Sequence, residues 1–180
     1  MLLAFAQWIQ LTDFFTYVRS STFFYPIVLS LHMCGIAMFG GMILAGDLRI
    51  LGVGMTRYKI SDFLDQLRMP KRYGLLLMVT MGAILAGSKA EEYYYNAFFR
   101  TKVILLLCVA LHALVFRKVY ANTAMLDEAK VIPGQAKTAA VISLLLWTGL
   151  VVAGRGIGYI EPPLDKLHAK AEQGTSYYFR

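Results

Sequence analysis

The chain has 180 residues, of which 58% belong to the apolar set (AVILMFWYC) and 16% are charged, and its mean hydropathy is +0.55. Soluble domains carry roughly 45–50% apolar and about 25% charged residues, and a chain this short leaves too much surface exposed to hide the excess from water. A soluble globule is excluded, and the net charge of +7 fits lipid headgroups and loop orientation better than nucleic acid.

In chain order, residues 1–20 predict an amphipathic helix lying in the membrane interface. Leu2, Phe5, Trp8, Ile9, Leu11, Phe15 and Val18 recur near helical spacing, interrupted by Gln7, Gln10, Asp13 and Arg19. Residues 21–160 predict a four-helix transmembrane bundle, so the expected fold class is all-α. Its spans fall at about 23–46, 73–88, 101–118 and 138–157, since a crossing needs about 20 apolar residues. Between the first two, Ile60–Leu67 predicts a short surface helix ended by Pro70. Residues 161–180 read as a polar C-terminal tail, with His168 in water. Cys34 and Cys108 both lie inside apolar runs, which leaves no disulfide scaffold and no cysteine-based metal site.

The loops after the first and third spans hold ten of the 18 basic residues: Arg49, Arg57, Lys59, Arg68, Lys71, Arg72, Arg117, Lys118, Lys130 and Lys137. The positive-inside rule puts those loops in the cytoplasm and both termini outside.

Two of the three histidines are intramembrane. His32 and His112 each lie about ten residues into spans that run in the same direction, so they are expected at similar depth. Ionisable groups there face a partner, a cavity or a cofactor. Two neutral imidazoles on different helices can hold one haem b as axial ligands. Gly35 and Gly40 would give the flat ring room, and Arg155, at the end of the fourth span, could take a propionate. The plainer alternative makes the histidines interhelical hydrogen-bond donors, the glycines packing residues and Arg155 a helix-end anchor.

The segment Tyr25-Pro26, His32, Gly35, Gly40 and Asp47-Leu48-Arg49-Ile50-Leu51-Gly52, with Gly154-Arg155-Gly156-Ile157-Gly158-Tyr159, resembles a family of small bacterial inner-membrane proteins of unknown function. The resemblance runs from about Trp8 to Tyr159 and implies architecture alone. In layout the chain is also similar to compact b-type cytochromes, although two histidines supply only one bis-His iron. In the DLRxLG element, Asp47 is expected to end the first helix beside a cation, since an acid opposes the dipole there. Arg72 is the expected partner, and Arg49 is expected to meet Asp47 or a lipid phosphate.

The expected function is a membrane subunit that passes electrons through one haem between a quinone, or a partner membrane or periplasmic redox protein, and a larger complex. The alternative is a cofactor-free accessory subunit. A small transporter is disfavoured for want of a broken helix. No hydrolase triad, HExxH or phosphate loop is present, so a stand-alone enzyme is not expected.

Overall fold

The computed structural model describes residues 1–118, 126–127, 132–160 and 162–164, and among these the chain is helical with no strand. Lys130, His168 and nearly all of the 161–180 tail lie outside the described residues.

The first twenty residues form two helices rather than one, α1 (Leu2–Gln10) and α2 (Asp13–Ser20). Thr12 breaks them by adopting extended backbone as the N-cap of α2, with its hydroxyl donating back to the Ile9 carbonyl at 2.9 Å. Helix α3 (Phe24–Leu51) runs 28 residues, with Pro26 in its first turn where no N–H is needed. It does not stop at Asp47. It continues another turn to Gly52, whose φ of +76° makes the left-handed cap while the Val53 N–H bonds the Leu48 carbonyl at 3.0 Å.

Helix α4 (Ile60–Ser88) is a single 29-residue helix that passes straight through Pro70. The expected surface helix and second span are therefore one element. An interior proline costs about 3 kcal/mol, but α4 packs along α3 on both sides of it, with Leu64 against Gly46 and Gly74 against Phe39. Its N-terminal N–H groups are met from far along the chain, Ile60 and Ser61 donating to the two Asp127 carboxylate oxygens at 2.6 and 3.2 Å. A short α5 (Ala90–Tyr95) turns the chain into α6 (Ala97–Val115), and α7 (Gly134–Ile157) returns.

Three helices, α3, α6 and α7, are long and apolar enough to cross a membrane, which makes this a multi-pass membrane protein in a lipid environment. The helices form two antiparallel pairs, α3 with α4 and α6 with α7, joined where α3 meets α7. Phe39 marks that junction, its ring 5.2 Å from Trp147 in an edge-on arrangement. The buried apolar cluster lies at the Gly52 end, where Ile50, Ile60, Leu126, Ala136 and Ala140 meet. At the opposite end, α1 and α2 dock on α4 and α5: Val18 is fully buried, and Phe15 fills the space that Gly87 leaves open. Their other side presents Phe5, Trp8, Leu11, Phe14 and Tyr17, all exposed.

Candidate functional site

His32 is 7% exposed and sits against α4. Its ring rests on Gly82, where an added Cβ would come within 2.8 Å of Cε1, and Nδ1 is 2.9 Å from the Met78 carbonyl. A carbonyl can only accept, so Nδ1 carries the proton and Nε2 is left as an acceptor. The two backbones nearly touch here. A Cβ at Gly35 would lie 2.6 Å from the Met78 nitrogen, and one at Gly74 would lie 2.8 Å from the Phe39 nitrogen. Gly35 thus serves helix approach. Gly40 has no such neighbour, since the nearest atom to its missing Cβ is Trp147 at 3.8 Å.

His112 belongs to the other pair. Its Nε2 is 2.9 Å from the Ala139 carbonyl of α7, and its ring lies 4.9 Å from that of Phe116. Here Nε2 is the donor, the opposite tautomeric demand from His32.

The register between the pairs places the two rings at different levels. Phe39 and Trp147 touch, and seven residues from each towards the α5 end lie His32 and Gly154. Seven residues are two turns, so both stay on the facing surfaces of α3 and α7. Lys102 reaches this level as well, its Nζ 3.8 Å from the position of a Gly154 Cβ. His112 is ten residues further along α6, and its acceptor Ala139 is fifteen residues from Gly154. At about 1.5 Å per residue, the imidazoles are separated by roughly 15–22 Å along the bundle. Two ligands of one metal ion lie on the order of 4 Å apart. The expectation of equal depth is corrected: α3 and α6 run in the same direction, but α6 starts at Ala97, so His112 falls near its far end. The pair does not fit the axial positions of a single haem iron, and no step is derived through one. Among the described residues no three of His, Cys, Asp and Glu gather as a metal site either.

Arg155 is exposed and turned to its own helix end, where Nη2 donates to the Tyr159 hydroxyl at 2.7 Å and the guanidinium lies 4.7 Å from that ring. The GRxIGY element therefore contains an i,i+4 cation–π pair. In the DLRxLG element, Asp47 is 3% exposed and its charge acts on Lys71, the neighbour of the expected Arg72. Arg49 donates to the Tyr58 carbonyl, which folds the 53–59 loop back on α3.

Three polar anchors escaped the sequence reading. Asn96, 2% exposed, caps α6 by accepting from the Phe99 N–H at 3.1 Å and donates to the Ile160 carbonyl at 2.8 Å, tying α7 to α6. A short polar residue just before an apolar run is the signal that could have found it. Glu91 accepts from the amides of Gln7 and Gln10 at 2.8 and 3.0 Å, which holds α1 on α5. Asp127 caps α4, and its carboxyl is held below the usual range. Burial alone would raise it, but hydrogen bonds from Ser61 and from the Ile60 and Ser61 N–H groups, with the Lys59 charge, outweigh that. Nothing local in the sequence signals these two contacts, which span 84 and 67 positions.

Residues 5–160 match the model of a family of unknown function, DUF6644, and the chain belongs to that family. No curated protein and no solved structure matches it.

Proposed function

We propose that this member of the DUF6644 family is a four-span accessory subunit of the plasma membrane, one that organises partner proteins in the bilayer rather than catalysing a reaction alone. The fourth crossing is α4, which lies antiparallel along α3 and carries the apolar run Tyr73–Ser88. The basic residues of the 47–72 segment orient the Gly52 end towards the cytoplasm and α1, α2 and α5 towards the outside.

One observation carries this reading. Each intramembrane histidine bonds a backbone carbonyl inside its own helix pair, His32 to Met78 and His112 to Ala139. Such bonds hold transmembrane helices together. A second reading, electron transfer through haem, draws support from His32 alone, because a carbonyl-bound Nδ1 leaves Nε2 in the tautomer that ligates metals.

The absorption spectrum of the purified chain from a haem-replete host tests both. The scaffold reading expects no haem bands. A sharp reduced-minus-oxidised band that is lost in His32→Ala would overturn it, whether or not His112→Ala also loses it. Orientation is tested separately by labelling Val53→Cys and Leu11→Cys in a Cys34→Ser/Cys108→Ser background. An impermeant reagent added outside should reach Leu11→Cys only.

A further inference from the structure

Lys102 is the anomaly of the bundle. It lies in the second turn of α6 and is half-buried, its ammonium beside Gly154, which is at the level of His32. Among the described residues no carboxylate pairs with it. The acids at the same end are engaged elsewhere, Glu92 with Lys89 at 3.1 Å and Glu91 with Gln7 and Gln10. The nearby cations are also occupied, Arg100 by the Tyr94 carbonyl and Arg155 by Tyr159. A cation among apolar helices without a counter-ion is costly. At the same level, the His32 Nε2 has no hydrogen-bond partner among the described residues, on a ring already fixed by Met78. A donor with surplus hydrogens and a fixed imidazole nitrogen thus lie at one level of the bundle, two turns from the Phe39–Trp147 contact.

We propose that Lys102 and His32 form the head of a lateral site for the anionic oxygen headgroup of a membrane amphiphile, a carboxylate or a phosphate, whose chain lies along the exposed apolar side of α6. The ammonium supplies the counter-charge. Nε2 accepts from a protonated headgroup oxygen, or donates to an oxyanion when the ring is protonated. Gly154 presents no side chain beside the ammonium, the position of its missing Cβ being 3.8 Å from Nζ. Val103, Leu107 and Leu111, exposed on α6, offer the chain an apolar track. The inference rests on the four-span reading, which puts Lys102 among acyl chains, and the cysteine-labelling experiment tests that premise independently.

Binding of oleate, dioleoylphosphatidic acid and dioleoylphosphatidylcholine to the full chain in neutral detergent tests the site. The expected result is binding of one or both anionic probes, about tenfold weaker in Lys102→Gln and retained in Lys102→Arg. His32→Asn keeps a donor for Met78 but lacks Nε2, and should weaken binding without changing the melting temperature. Binding of oleate identifies a carboxylate as sufficient, and binding of phosphatidic acid alone identifies phosphate. Equal binding of the zwitterionic lipid, binding unchanged in Lys102→Gln, or no binding of any probe would overturn the proposal.

Discussion

The two helix pairs are held together by different means. Along α3–α4, glycines at 35, 74 and 82 bring backbone against backbone and seat a nearly buried imidazole. Along α6–α7 no glycine meets a backbone in that way: Gly149 meets Leu105 at 3.3 Å, Gly156 faces the Phe98 ring, and α6 buries none of its residues. Without a hydrophobic drive between helices in lipid, close packing is what binds them. The first pair is then the rigid half, and the second rests on caps and single hydrogen bonds. That leaves α6 as the element available to lipid or partners.

The largest expected effect breaks the rigid pair. Gly35→Ala forces a Cβ into the Met78 backbone and should destabilise by about 2–3 kcal/mol in a thermal or SDS titration. Gly40→Ala, beside Trp147 at 3.8 Å, should stay within about 0.5 kcal/mol. Equal effects would erase the distinction between a packing glycine and a neutral one.

Next comes Asn96→Ala, which removes the α6 cap and the tie to Ile160 together. About 1–2 kcal/mol is expected, with faster amide exchange at the start of α6 and the end of α7. The histidines sharpen the contrast further. His32→Leu should cost near the upper end of intramembrane hydrogen bonds, about 1.7 kcal/mol, and His112→Leu nearer the average of about 0.6. A larger loss at His112 would reverse the ranking of the pairs.

The smallest effect is expected at Asp127. Its folded pKa lies below its unfolded value of about 3.9, so its contribution is complete above that pH and fades as pH falls through the lower folded value. Asp127→Asn should remove this acid sensitivity from amide exchange at Ile60 and Ser61, leaving the rest of the chain unchanged.

Membrane class and three of the four expected apolar spans, now α3, α6 and α7, were legible from composition and run length. Boundaries failed where tertiary contacts overrode a local signal. Pro70 reads as a stop, yet α4 runs through it because Leu64 and Gly74 are both packed on α3. Asp47 reads as a helix end, yet the stop is Gly52, where only a left-handed cap closes the turn. The histidines were legible as intramembrane groups with partners, but not which partners. Depth was inferred from apolar runs, and the run around His112 conceals that α6 begins at Ala97. Carbonyl acceptors on a neighbouring helix leave no mark in a sequence.

The separation of the two imidazoles is most directly tested by depth. Nitroxide labels on Leu31→Cys and Leu111→Cys, in a chain lacking Cys34 and Cys108, sit on exposed positions next to each histidine. Collision accessibility to oxygen and to a polar nickel complex in bilayers should place them about 15 Å apart along the membrane normal, on opposite sides of the midplane. Equal depths would contradict the two-pair account and return the histidines to a common site.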